Sequence, residues 1–233
     1  MPSSTVRTFS DLDDYAAAIR QGTVELTVTA RGYLTAKHVR IDLHCQWMQR
    51  FSENLSRIYH VDGWGGRAIV AFRTQAGPSL VHSGVELQPS NIVRFSAGQS
   101  YYQHLSGPTC FASMSLPVAD MVSVGAVMAG CDLTPLRDTL IVTPLPSAMA
   151  KLQRLYSGCE RLHVRRARAM RTGTVRRPTR TSPIIFLIWA ATVCLLSLNI
   201  RKELPRLTAT RSVGCSMFHS PVDLHGIARY WSD

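Results

Sequence analysis

At 233 residues the chain has room for one domain of ordinary size and a smaller second unit, and its apolar fraction of 45% is enough to bury a core. The net charge of +11 points to a nucleic-acid partner only until it is located. Residues 1–160 carry 13 Lys or Arg against 12 Asp or Glu, and residues 161–233 carry 13 against 3, so the basicity belongs to the tail and the first 160 residues have an ordinary solvated surface.

The N-terminus, MPSSTVRTFSDLDDY, is polar and acidic and has no secretory signal pattern. The six cysteines, Cys45, Cys110, Cys131, Cys159, Cys194 and Cys215, form no CxxC pair and leave no zinc site of familiar spacing. Scattered reduced thiols fit a cytoplasmic protein.

Taken in order, Ser10 and Asp13 give a helix start signal, and Leu12, Tyr15, Ala16 and Ile19 share one helical face before Gly22, so the spacing predicts a helix over 11–21. Val24 to Phe51 is rich in β-branched and aromatic residues and is broken once, at Gly32, which predicts two or three antiparallel strands with one packed face and one wet face. Residues 54–66, with Gly63, Gly65 and Gly66, read as a loop. Short strand-like pieces follow at Ala68–Arg73, Ser79–His82, Val85–Leu87, Ile92–Phe95, Tyr101–His104 and Cys110–Leu116, separated by turn residues such as Ser83-Gly84. Many short strands at regular spacing predict an antiparallel barrel or sandwich.

After Pro117 the period changes to that of a helix, with a stripe of Val118, Met121, Val122, Gly125 and Met128 that ends at Gly130. Thr139–Thr143 reads as one more strand. Pro146 then opens a second helix whose stripe is Met149, Leu152, Leu155, Tyr156, Cys159 and Leu162. This helix is expected to pack on the barrel or on a partner copy, with Met149, Leu152, Leu155 and Tyr156 as the dimerisation residues.

From Arg161 the composition shifts. Residues 161–180 hold eight arginines and no acidic residue, a pattern that suits phosphate contact, the cytoplasmic flank of a membrane segment or a solvated tail. Residues 181–200 carry no charge and have the length of a bilayer-spanning helix. Residues 201–233 show no clear period. This divides the chain into a domain at 1–160, an arginine-rich linker at 161–180, an apolar segment at 181–200 and an irregular tail.

No pattern argues for an enzyme. His38, His44 and His60 lack the HxH pair and the neighbouring Glu of a metal-binding cupin, no GxSxG elbow is present, and Gly63-Trp64-Gly65-Gly66 lacks the lysine of a P-loop. Catalytic, metal-ligating and DNA-contacting residues are therefore all expected to be none, and no cofactor is implied. Trp47, Phe51, Arg67, Phe72, Arg73 and Tyr102 are the candidates to line a pocket for a small organic effector.

Five segments carry a resemblance: DLDDYAAAIR, VELTVTARGYLTAKHVRIDL, WMQRFSENLSRI, MSLPVADM and LIVTPLP. Together they resemble the N-terminal half of a bacterial AraC-type transcriptional regulator, over about Thr8 to Leu155. The resemblance implies a cupin-like antiparallel β-barrel with flanking helices, an α+β fold that serves as a ligand-sensing and dimerisation domain. It implies a homodimer, or a heterodimer with an intact regulator. The family's C-terminal unit has two helix-turn-helix motifs that bind promoter DNA, and residues 161–233 are too few and carry another pattern. The chain then reads as a truncated or frameshifted regulator without its DNA-binding unit, since an arginine-rich, acid-poor tail is what a GC-rich gene yields out of frame. The rival reading is a membrane-anchored small-molecule sensor held by residues 181–200, with its N-terminal part in the cytoplasm.

Overall fold

A computed structural model of the chain describes residues 3–43, 45–129, 133–134 and 138–171. The apolar segment, the last part of the arginine-rich linker, the tail and His44 lie outside the described residues. Among the described residues no helix is long and apolar enough to cross a membrane.

Among the described residues twelve strands form two sheets, and every pairing between them is antiparallel. The first sheet holds β1 (Ser3–Phe9), β3 (Ala36–Leu43), β4 (Gln46–Glu53), β11 (Thr109–Pro117), β6 (Arg67–Arg73), β9 (Ile92–Phe95) and β12 (Leu140–Val142), in that spatial order. The second holds β2 (Gly22–Val28), β5 (Arg57–Gly63), β10 (Ser100–Leu105), β7 (Leu80–His82) and β8 (Val85–Glu86). The expected barrel does not close. Each sheet keeps two edges, β1 and β12 in the first and β2 and β8 in the second, and the two layers meet through side chains instead.

Alternation along the strands sets up two cores. Phe51, Ala71, Val93 and Phe111 of the first sheet face Tyr59, Val61, Tyr101 and Leu105 of the second. The other face of the first sheet carries Met48, Val70, Phe72, Ile92 and Met114, and it is covered by α2 (Val118–Ala129) and α3 (Pro146–Arg171). The first sheet is thus buried on both sides, which is why β6 and β9 are buried nearly throughout, their arginines included. The second sheet has a wet outer face, and β10 reads there as exposed Tyr102 and His104 between buried Tyr101, Gln103 and Leu105.

Four local features differ from expectation, the first being that Ser3–Phe9, read only as a polar N-terminus, form the edge strand β1. Residues 57–63, expected as loop, are strand β5, where buried Arg57, Tyr59 and Val61 alternate with outward Ile58, His60 and Asp62. The N-terminal helix α1 (Leu12–Ala18) is capped one residue later than expected, by Asp11, whose carboxylate accepts the Asp14 backbone N–H at 2.9 Å. Helix α3 continues past the composition change at Arg161 as far as Arg171. Between β7 and β8, Ser83 (φ 45°) and Gly84 (φ 84°) both take left-handed conformations, which is the two-residue turn that a tight hairpin requires.

Candidate functional site

Register places the inward side chains of the first sheet in cross-strand rows. One row runs His38, Phe51, Phe111, Arg73 across β3, β4, β11 and β6. His38 stacks on Phe51 at 4.9 Å between ring centroids, and Phe51 stacks on Phe111 at 4.5 Å. Arg73 is the last member of the row. It borders a small cavity between the sheets whose apolar wall is Leu80, Leu87, Val93, Phe95 and Phe111 and whose polar members are Gln88, Asn91 and Gln103. The cavity gives about 20 Å³ to the centre of a water molecule, room for roughly one or two waters. The turn at its end is held by Asn91, whose Oδ1 accepts the Gln88 N–H at 2.6 Å and whose Nδ2 donates to Thr143 Oγ1 at 2.8 Å.

The arginines of this interior differ in how their donors are used. Arg57 is fully buried, ion-paired to Glu53 and donates to the Leu55 carbonyl. Arg67 lies over the Trp47 ring at 5.2 Å and donates to Ser115 Oγ at 2.7 Å and to the Cys45 carbonyl at 2.6 Å. Arg73 is only 4% exposed, and its Nε and Nη2 have no acceptor among the described residues. Burial pulls its pKa below the usual arginine value without removing the charge. The backbone at Gly77 passes close to this guanidinium, since a Cβ there would sit 2.8 Å from Arg73 Nη2.

The six pocket residues expected from sequence therefore fall in different places. Phe51 and Arg73 share one row. Trp47 and Arg67 meet at another part of the same inner face. Phe72 borders the cavity, but its ring turns to the helix-covered face and meets Tyr156 edge-on at 5.5 Å. Tyr102 is 60% exposed on the outer face of the second sheet, stacked on His60. His38 and His60 stand on opposite sides of the second sheet and do not converge; among the described residues no group of three His, Cys, Asp or Glu is placed to hold a metal ion. Of the residues expected at a dimer contact, Met149, Leu152 and Tyr156 are spent on the protomer's own core under α3. The side chain of Leu155 lies outside the described residues.

Sequence reasoning missed Gln103, Phe111 and a buried polar cluster. In that cluster Tyr15 of α1 and Tyr59 of β5 both donate to Glu53 Oε1, while Arg57 pairs with the same carboxylate. Burial pushes both phenols upward, so they remain protonated donors. Only the pairing of two sheets and a helix brings these four together. An inward polar residue in each strand run was the signal available.

Two imidazoles are buried without charge. Desolvation brings His38 down to about 4, although a hydrogen bond to Gln49 opposes it, and brings His82 down to about 4. His82 sits between Phe95 and Tyr101, and among the described residues neither ring nitrogen has a partner. A folded pKa below the unfolded value of about 6.5 means that the unfolded chain binds more protons between the two. Stability from these groups is therefore complete above pH ~6.5 and declines as pH falls to about 4, by on the order of 3 kcal/mol for each histidine. Urea unfolding at pH 7, 5.5 and 4.5 is expected to show this fall, and His82→Leu is expected to flatten its share.

No known family profile and no curated protein matches the chain. Among solved structures it is similar to the AraC-like transcriptional activator CuxR, at 11% identity and a TM-score of 0.48, covering 89% of this chain and 81% of that one. It is also similar to a protein of Pseudomonas aeruginosa described as glyoxylate-induced, at 13% identity and a TM-score of 0.29, covering 62% and 53%. Both scores are below one half, and the functional reading does not rest on either.

Proposed function

We propose that this chain is a sensing domain that binds a small molecule between its two sheets, within a cupin-like frame of the kind found in AraC-type regulators. The observation that carries the reading is the cavity beside Arg73. A charged side chain buried without a protein acceptor is costly, and a bound ligand is a direct way to satisfy it. A second feature supplies a route outward. Helix α3 grips the back of the same strands: Gln153 Nε2 donates to the Arg73 carbonyl at 3.0 Å, and the Tyr156 hydroxyl donates to the Gln49 carbonyl. A shift of β6 on ligand binding then biases α3, which leads into the arginine-rich segment, and the effect is a population shift between two helix positions. The reading is one of binding without catalysis.

The experiment is a thermal-shift screen of small metabolites against the full chain and against Ala71→Leu, which fills the cavity wall. A ligand that raises the melting temperature of the parent and not of Ala71→Leu is the expected result. Equal shifts in both proteins would place binding elsewhere.

A further inference from the structure

Resting on the reading of the cavity as an effector site, we infer the chemical class of its ligand: a short-chain carboxylate, held by both oxygens on the Nε–Nη2 edge of Arg73. Among the described residues Arg73 Nε and Nη2 have no acceptor, and in a guanidinium these two N–H groups point the same way from one edge. That edge matches the spacing of two carboxylate oxygens, and bidentate pairing is the strongest hydrogen-bonding arrangement an arginine makes.

Charge leads to the same class. The residues around the cavity include no Asp or Glu, so the guanidinium has no counter-charge in the wall. A monoanion neutralises it, whereas a neutral sugar or polyol leaves the charge buried. A phosphate dianion would overshoot, because the other polar groups of the wall, Gln88, Asn91 and Gln103, are uncharged. The apolar side, Leu80, Val93, Phe95 and Phe111, suits a methyl group, and a space of roughly one or two waters restricts the acid to about the size of acetate. Trp47 and Arg67 offer no rival site, since the same Nε–Nη2 edge of Arg67 is already engaged by Ser115 and the Cys45 carbonyl.

The test uses the full chain and matched probes: formate, acetate and propionate, acetamide and ethanol, and inorganic phosphate, each titrated by calorimetry at pH 7. Saturable binding of a short acid is expected, at least about tenfold tighter than its amide or alcohol. Arg73→Met should lose that binding while remaining folded, because it removes an uncompensated buried charge at similar length. Arg73→Lys, which keeps the charge but not the paired edge, should weaken binding about tenfold. The inference is overturned if acetamide binds as well as acetate, if phosphate binds more tightly than every acid, if Arg73→Met retains acid binding, or if no acid binds. Failure of the class and failure of the site separate cleanly: a neutral ligand blocked by Ala71→Leu leaves the cavity an effector site, whereas acid binding that Ala71→Leu does not touch removes the cavity itself.

Discussion

Glu53→Ala is expected to lower the stability of the chain by about 3–5 kcal/mol, the range for breaking a buried ion pair from one side. Glu53 and Arg57 have fully buried side chains, and Glu53 also accepts the hydroxyls of Tyr15 and Tyr59. Removing the carboxylate leaves a buried guanidinium without its counter-charge and two phenols without their acceptor. The cluster joins α1, the first sheet through β4 and the second sheet through β5, so the loss is felt across both layers. Replacing both partners, Glu53→Leu with Arg57→Met, should destabilise much less than Glu53→Ala, since no charge is then left unpaired. Urea unfolding of the parent, Glu53→Leu, Arg57→Met and the double variant, with Glu53→Ala beside them, checks it. Equal losses in the double variant and in Glu53→Ala would mean that the cluster matters only as packing.

Phe51→Ala is expected to cost a similar 3–5 kcal/mol. Its ring is fully buried and stacked between His38 and Phe111, so truncation opens a void in the middle of the inter-sheet core. Phe111 borders the cavity and Arg73 stands beside it in the same row, so ligand binding should weaken along with stability. Phe51→Leu, which keeps most of the volume, should cost under about 1.5 kcal/mol. Tyr102→Ala, on the outer face of the second sheet, should stay within about 1 kcal/mol of the parent. Calorimetric melts of the three variants measure the contrast, and a Tyr102→Ala loss equal to that of Phe51→Ala would contradict the assignment of inner and outer faces.

Much of the strand pattern is legible in the sequence because burial on one face writes itself as alternation. Ile92–Phe95 is found to the residue, and most other strands from Ala68 onward are found within one or two residues. Two strands hide. The polar strand β1 lies at an edge with little to bury, and the glycines after Val61 outweigh the alternation of Arg57, Tyr59 and Val61 that marks β5. The same alternation limits the expected pocket. Phe72 and Arg73 are neighbours in one strand, as are Tyr101 and Tyr102, so only one of each pair can face the interior. What no local pattern contains is the register that sets Phe111 between Phe51 and Arg73, or the docking of α1 that brings Tyr15 to Glu53. Those depend on which strands pair across long stretches of chain. The apolar stripe of α3 was equally ambiguous, because a face that docks on its own sheet and a face that docks on a partner are written with the same residues.

The most direct measurement is the structure of the full chain with the tightest ligand from the thermal-shift screen. The account predicts that the ligand lies between the sheets, against Phe111 and Val93, with an acceptor group within hydrogen-bond distance of Arg73 Nε and Nη2. A ligand found on the outer face of the second sheet beside Tyr102, with the Arg73 donors untouched, would contradict it.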